Sequence, residues 1–247
     1  MHKNRRCGDF MKVLIFDFDG TLTKKDHNIW RELWNYLGYP TDKTSPYAKL
    51  YVSHVLKKEI TRKEWFDKTC EYFMAKGFST KHLFNVSKNI EKINGLEETL
   101  KILKNNGYQL HILSGGLREC IYYALGDLTK YFTHIESNRC KFDGNGNIVS
   151  LLPTDYDYEG KLKYVEILKR HGINAKDIIF VGNGDNDEWV IQSGCKTLCI
   201  NPTTTDGNNK NFWHNSIQNV DNLTKILPYI LEGKQEHKVI AEVFDLK

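Results

Sequence analysis

Residues 12–23 read KVLIFDFDGTLT. The apolar run at residues 13–16, bounded by a glycine-containing turn, predicts a buried strand. Side chains two residues apart in an extended chain point to the same face, so Asp17 and Asp19 address one site while Phe18 points away. One such carboxylate can attack as a nucleophile, and the other can transfer a proton to and from a leaving oxygen. The stretch therefore predicts a catalytic pair at the carboxyl end of a strand.

Spacing excludes two other interpretations of the acidic loops in this chain. An EF-hand needs glycine at the sixth loop position and glutamate at the twelfth. A loop that starts at Asp17 has Leu22 and Asn28 at those positions. Residues 182–187 read GNGDND, and a dinucleotide-binding G-x-G-x-x-G is excluded there because Asp187 replaces the third glycine. For the opening stretch, the remaining alternative is a strand that ends in two acids by chance.

Length and composition are those of an ordinary globular protein. The 247 residues suffice for one large domain or for a core with an inserted smaller one. A net charge of +4 neither requires nor excludes an anionic partner, and no run rich in lysine and arginine indicates nucleic-acid binding. No stretch resembles a signal peptide or a membrane span, so we expect a cytoplasmic protein without a membrane partner. The six cysteines include no C-x-x-C pair, which favours reduced thiols over zinc or disulfides.

Residues 24–94 have the pattern of helices and contain no strand signal. Helices are expected over about residues 26–37, 46–58, 61–76 and 80–93, with Asp26 as the N-cap of the first. This segment carries 14 lysine and arginine residues against 8 acidic ones. The excess of basic residues is mildly in favour of an anionic substrate, but a solvated basic surface explains it equally well.

Further polar residues stand where strands give way to helices. Ser114 and Gly115 follow a strand predicted at residues 109–113, and such a turn can hold a phosphate with a hydroxyl and backbone amides. Lys161, or Lys163 if the register shifts, opens a helix and is the candidate cation. The acidic loop at residues 182–187 follows another strand and supplies the oxygen ligands that a magnesium ion requires.

Strands that alternate with helices in this way predict an α/β fold. We expect a doubly wound, mainly parallel sheet of the Rossmann type, with ligands bound at its carboxyl edge. Residues 11–23 and 95–232 would form this core, with a hairpin at residues 138–151. Residues 24–94 would form an inserted helical cap, and residues 233–247 a loose C-terminal tail.

The D-x-D-x-T run, followed in order by Ser114, Lys161 and the loop that ends at Asp187, resembles the four motifs of the haloacid dehalogenase-like phosphohydrolase superfamily. The helical insert resembles the cap of the phosphoserine phosphatase-like branch. This resemblance implies a Mg²⁺-dependent hydrolase of a small phosphorylated metabolite, with an aspartyl-phosphate intermediate on Asp17. Asp19 would be the general acid and base.

The resemblance also implies the remaining roles in the site. Thr21 would orient the loop, and Ser114 and Gly115 would bind phosphate. The metal ligands would be Asp17, the backbone carbonyl of Asp19, Asn183 and Asp187, the last directly or through water.

The sequence departs from the phosphoserine phosphatase pattern at two places. That pattern reads G-D-G-x-N-D in the fourth motif, so Asn183 replaces a metal-binding carboxylate, and Asp185 could restore the charge from a neighbouring position. Asp26 falls where those enzymes carry an acid for the substrate amine, but their arginine for the substrate carboxylate aligns near Thr69. Phosphoserine is therefore not the expected substrate.

Two other functions stay open from the sequence. Asn183 favours a phosphometabolite-binding or regulatory protein with weakened turnover. A metal-independent dehalogenase is a further option, against which Asp19 and the acidic loop argue. The sequence does not indicate an oligomeric state.

Overall fold

The computed structural model describes residues 11–203 and 213–231. Within these ranges the chain forms a seven-stranded sheet of order β4-β3-β2-β1-β5-β6-β7. The strands are β1 (Lys12–Phe16), β2 (Tyr108–Leu117), β3 (Phe132–Phe142), β4 (Ile148–Leu152), β5 (Ile178–Gly184), β6 (Lys196–Thr203) and β7 (Asn215–Ile217). Neighbouring strands are parallel except β3 and β4, which form an antiparallel hairpin. The predicted α/β sheet and the predicted hairpin are confirmed.

β1 lies at the centre of the sheet because its apolar side chains need burial on both faces. Residues 13–16 are fully buried, and they alternate between two separate hydrophobic clusters. Phe16 pairs with Ile112 of β2 on one side and with Val181 of β5 on the other. The chain therefore leaves β1 between the ends of β2 and β5, and the next residues lie at the carboxyl edge of the sheet.

The α-helices of the described residues are α1 (Ile29–Tyr36), α2 (Pro46–Tyr51), α3 (Arg62–Ala75), α4 (Thr80–Ser87), α5 (Leu96–Asn105), α6 (Arg118–Leu125), α7 (Glu159–Arg170) and α8 (Leu227–Ile230). A π-helical turn, Val52–Leu56, continues α2. Short 3-10 helices cover Gly126–Tyr131, Ala175–Asp177, Asp185–Ser193 and Leu223–Ile226.

The helices α1 to α3 share an aromatic core around Trp34, which is 1% exposed. The ring centroids of Tyr39, Tyr47, Tyr72 and Phe73 lie 5.1 to 6.1 Å from that of Trp34. Most of the aromatic residues in this segment therefore pack against one another, as expected for the core of a small helical unit.

The helical segment leaves and re-enters the sheet region at adjacent points. Lys24 N donates to Glu91 O at 3.0 Å, and Ile93 N donates to Leu22 O at 3.1 Å. The two connections thus run side by side, as an insertion requires. The division of the chain into domains at residues 24–94 stays a prediction.

Three helix boundaries differ from those expected. Asn28, not Asp26, caps α1, because its side chain accepts a hydrogen bond from Arg31 N. The predicted Asp26 cap is wrong, since residues 24–27 form a turn that His27 N closes onto Lys24 O at 3.1 Å. The helix expected over residues 46–58 splits into α2 and the π-helical turn, and the one expected over residues 80–93 ends at Ser87.

Several expectations fall on parts of the chain beyond the described residues. The tail predicted at residues 233–247 and Cys7 lie outside them. No disulfide links the cysteines of the described residues. In residues 11–203 and 213–231, every helix is too short or too polar to cross a bilayer.

Candidate active site

Polar side chains from neighbouring elements meet at the carboxyl edge of the sheet. Asp17 follows β1, Ser114 lies near the end of β2, and Asn183 lies near the end of β5. Lys161 comes from the first turn of α7, and Asp187 comes from the 3-10 helix after β5. All five residues are more than nine-tenths buried. The structure therefore places the predicted chemical elements at a single edge.

Lys161 is fully buried between two carboxylates. Its Nζ donates to Asp17 Oδ1 at 2.9 Å and also to Asp187 Oδ1. Lys163 is exposed, because residues two apart on a helix point in nearly opposite directions. Of the two lysines that the sequence left open, Lys161 is the one in the site.

In this trio one ammonium faces two carboxyl groups, so ionisation of both would leave a net negative charge. Burial raises the pKa of Asp17 to about 8, Lys161 opposes that rise, and the charge of Asp187 adds to it. Burial lowers the pKa of Lys161, but Asp17 and Asp187 outweigh burial and raise it above its ordinary value. The lysine therefore carries its charge, and Asp17 keeps a proton at neutral pH in the metal-free protein.

The acidic loop after β5 is built around Asp187. The Oδ2 atom of this residue accepts hydrogen bonds from Asn183 N at 3.1 Å and from Gly184 N at 3.2 Å. The Asn183 side chain lies against Gly20, where a Cβ would stand 2.2 Å from Nδ2, and Gly20 has a φ of +69°. Only glycine fits at position 20, so this glycine of the first motif leaves the space that the Asn183 side chain occupies. The side chain of Asp185 is not among those that the structure describes.

Asp19 makes contacts that the sequence did not predict. Its two carboxylate oxygens each lie 3.3 Å from Ile29 N, at the start of α1. His27 Nε2 lies 3.2 Å from Asp19 Oδ1, an ion-pair distance without ideal hydrogen-bond alignment. The other ring nitrogen of His27 contacts Glu32 Oε1. Burial lowers the pKa of His27, but contact with Asp19 and the charge of Glu32 outweigh it, so the pKa is raised.

The turn around Ser114 belongs to β2, which extends to Leu117 instead of ending at residue 113. The pairing of β2 with β3 is irregular between Ser114 and Leu117, which frees the backbone there. Ser114 Oγ accepts a hydrogen bond from Gly116 N at 3.0 Å. Gly115 O accepts hydrogen bonds from Trp30 Nε1 at 2.8 Å and from Asn138 Nδ2 at 2.7 Å. The predicted phosphate turn is thus held by α1 and by β3.

An arginine from the cap lies beside this turn. Arg62 Nη2 donates to Asp157 Oδ2 at 3.0 Å and to Asn138 Oδ1 at 3.2 Å, while its Nε is buried without a partner in the described part of the chain. A Cβ on Gly115 would lie 2.7 Å from both carboxylate oxygens of Asp157. Thr69 is buried inside the cap, and its hydroxyl donates to a backbone carbonyl. Arg62 is therefore an arginine beside the phosphate turn that the sequence analysis did not single out.

Asp26 and Thr21 make no side-chain hydrogen bond or ion pair with the buried trio among the described contacts. Asp26 is exposed and lines a cavity of about 770 Å³ together with His27, Glu32 and Asn201. Thr21 is fully buried, and its hydroxyl has no partner within the described residues. The structure thus does not bring Asp26 next to Ser114 or Lys161.

The donor atoms of the site fit a hard cation. In the described residues, no three His, Cys, Asp or Glu side chains form a metal-binding group. The oxygens available are the carboxylates of Asp17 and Asp187 and the side-chain amide of Asn183. Hard oxygen donors are the ligands that Mg²⁺ takes, and a divalent cation would offset the burial and the charge of Asp187 that raise the pKa of Asp17.

Comparison with known proteins places the chain in a family. The sequence model of the haloacid dehalogenase-like hydrolases matches residues 11–193. A phosphoserine phosphatase of Archaeoglobus fulgidus is 26% identical over 200 residues, which cover 77% of this chain and 52% of that protein. One from Methanocaldococcus jannaschii is 25% identical over 205 residues, which cover 77% of this chain and 87% of that protein. The match thus spans about half the length of the first relative.

A solved structure supports the same fold. It is described as a phospho-aspartyl intermediate analogue of phosphoserine phosphatase, and it superposes with a TM-score of 0.68 at 22% identity. The superposition covers 89% of this chain and 99% of that one. The resemblance noted in the sequence is confirmed.

Proposed function

This chain belongs to the haloacid dehalogenase-like hydrolase family, in its phosphoserine phosphatase-like branch, and from that premise we propose that it is a Mg²⁺-dependent hydrolase of small phosphomonoesters. The observation that carries the proposal is the buried contact of Lys161 with both Asp17 and Asp187 at the carboxyl edge of the sheet. A buried ammonium between two carboxylates is a poor device for stability, since desolvation offsets most of the attraction. The arrangement is suited to receiving an anion beside a carboxylate nucleophile.

The first chemical step is attack by Asp17 on phosphorus. The attack brings one anion to another, so Lys161 and the Ser114 turn must offset repulsion and stabilise the charge that spreads over the phosphoryl oxygens. Asp19 gives its proton to the leaving oxygen. The bond between phosphorus and that oxygen breaks, and Asp17 carries the phosphoryl group.

The second step releases phosphate from Asp17. Asp19, now a carboxylate, takes a proton from water, and the water oxygen attacks phosphorus. The Asp17 oxygen leaves as a carboxylate, and Asp19 is protonated for the next cycle. Both steps need the Asp19 carboxyl group close to the bound phosphate.

Asp17, Asp187, Asn183 and the backbone carbonyl of Asp19 would hold Mg²⁺. When bound, the ion supplies positive charge that lets Asp17 stay ionised beside the phosphate. The neutral Asn183 removes one formal charge from this ligand set, so we expect weaker Mg²⁺ binding than a carboxylate at that position would give. Thr21 would orient the first loop.

The substrate is a separate question, because the relatives are named for phosphoserine. Arg62 is suited to a substrate carboxylate, but its Nη2 is engaged by Asp157, and Asp26 is not beside the phosphate turn. We therefore expect the ion pair with Asp157 to weaken the binding of a substrate carboxylate by Arg62. The contact of Asp26 with a distal substrate group and the cytoplasmic location stay predictions.

The decisive experiment is a turnover screen of the purified chain. p-Nitrophenyl phosphate, O-phosphoserine and a panel of sugar, polyol and amino-alcohol phosphates should be incubated with Mg²⁺ or with EDTA, and phosphate release measured. We expect Mg²⁺-dependent release from at least one ester and none from the Asp17→Asn variant. Absence of turnover with the whole panel would contradict the proposal.

A second function is favoured by Asn183 alone, namely a phosphometabolite-binding or regulatory protein. Such a protein would bind beryllium or aluminium fluoride with Mg²⁺, as phosphate mimics, and yet hydrolyse nothing. Calorimetry with these fluorides on the same sample distinguishes the two functions. Release of chloride from haloacids without metal would instead indicate a dehalogenase.

A further inference from the structure

Asp19 is fixed from one side by an imidazole and from another by a backbone amide. Ile29 N lies 3.3 Å from both carboxylate oxygens, and His27 Nε2 lies 3.2 Å from Oδ1. A methyl group on Gly116 would lie 3.6 Å from Asp19 Oδ2 and 3.2 Å from Ser114 Oγ. The carboxylate therefore faces the phosphate turn with Oδ2 and faces His27 with Oδ1.

His27 is itself held in place by a second carboxylate. Its side chain is 6% exposed, and its second ring nitrogen contacts Glu32 Oε1 in the first turn of α1. Glu32 makes no described contact with Asp19, so it reaches the site only through the ring. A buried ring with a partner at each nitrogen has little freedom to rotate.

We infer that His27 and Glu32 are positioning residues that hold Asp19 in the orientation needed for proton transfer to the leaving oxygen. This inference rests on the proposed phosphatase function. The fixed ring keeps Oδ1 occupied and leaves Oδ2 directed at the volume next to Ser114. Without it, the amide of Ile29 alone would restrain Asp19, and the carboxyl group could rotate away from the leaving group.

Two esters separate this role from a general structural one. p-Nitrophenolate leaves readily without a proton, whereas the benzyl alcoholate of benzyl phosphate requires one. kcat/KM reports the first step, in which Asp19 acts as the acid, and does not include release of phosphate from Asp17. Misplacing the acid should therefore lower kcat/KM for benzyl phosphate and spare p-nitrophenyl phosphate.

The test compares His27→Ala, His27→Gln and Glu32→Ala with the wild-type chain. General acid catalysis is worth about 10²- to 10⁴-fold and Ile29 N remains, so we expect His27→Ala to lower the benzyl to p-nitrophenyl ratio of kcat/KM by about 10- to 100-fold. His27→Gln should restore much of it, because glutamine can place an N–H near the Nε2 position. Glu32→Ala should show a smaller loss in the same direction.

Coupling between the two residues gives a further readout. Because Glu32 acts through His27, the double variant should be no worse than His27→Ala. His82→Ala and Glu97→Ala are the matched controls, since His82 contacts Ser79 and Glu97 lies on the exposed face of α5. Both should leave the ratio unchanged.

The outcomes distinguish this inference from the proposed function. An equal fall for both esters, an unchanged ratio, or additive effects of the two substitutions would overturn the positioning role while leaving the phosphatase intact. If His27→Ala does not fold, His27→Gln and Glu32→Ala decide by the same ratio. If the wild-type chain hydrolyses neither ester nor any other, the proposed function fails and this inference fails with it.

Discussion

Replacing the nucleophile should have opposite effects on activity and on stability. Asp17→Asn should abolish turnover, because an amide is a poor nucleophile and no other described carboxylate lies in the same place beside Lys161. The same change should stabilise the metal-free protein. It removes a carboxyl group that the folded chain buries at neutral pH only by keeping a proton on it, because burial and the charge of Asp187 outweigh the attraction of Lys161.

The size of the stabilisation follows from the pKa of Asp17. It is about 8 in the folded chain against an ordinary value of 3.8, so the folded state keeps a proton that the unfolded state has released. The free energy of unfolding therefore falls as the pH rises from about 4 to 8. The loss of unfolding free energy caused by Asp17 is at most about 4 kcal/mol at pH 7 and less than about 2 kcal/mol at pH 5. The neutral amide of the Asp17→Asn variant would have no such dependence.

Urea unfolding in EDTA at pH 5 and pH 7 measures the effect. We expect Asp17→Asn to be more stable than the wild type at pH 7 by about 2 to 4 kcal/mol, or roughly 5 to 10 °C in Tm, and to gain less at pH 5. Lys161→Met is the control of opposite sign, since it leaves two buried carboxylates facing each other. A lower stability of Asp17→Asn at pH 7, or a gain that does not grow with pH, would refute the reasoning.

Three further predictions concern other buried groups. His111 is 1% exposed, and burial with the charge of neighbouring His134 lowers its pKa to about 3. The unfolded chain binds a proton at His111 near pH 6.5, whereas the folded chain does not bind it until about pH 3. The free energy of unfolding should therefore fall by about 2 kcal/mol between pH 6.5 and 5. In urea unfolding, His111→Gln should remove that part of the pH dependence. Asn183→Asp should lower the Mg²⁺ concentration for half-maximal activity, and an unchanged value would take the side chain out of the ligand set. Asp157→Asn should release Arg62 and raise kcat/KM for O-phosphoserine several-fold relative to p-nitrophenyl phosphate. If the ratio of the two esters stays constant, Arg62 does not face the substrate.

Local patterns in the sequence determined the sheet and the chemical elements at its edge. An apolar run such as residues 13–16 is typical of a strand buried on both faces of a parallel sheet, and the residue that follows such a strand, here Asp17, lies at the carboxyl edge. The other motifs also follow strands or open helices, and the carboxyl ends of parallel strands meet at one edge. Fold, family and the meeting of Asp17, Lys161 and Asp187 were therefore predictable.

Contacts between elements were decided only by tertiary packing. Residues 24–94 contain no motif that singles out Arg62, and only the packing of α3 brings this arginine to Asp157. Likewise, Asp26 and His27 are adjacent in the chain, and only the path of the turn before α1 determines which of them reaches Asp19. The pattern of apolar and polar residues in a segment predicts whether that segment forms a helix or a strand. The direction in which a loop residue points depends on the backbone around it and on the partners that packing supplies.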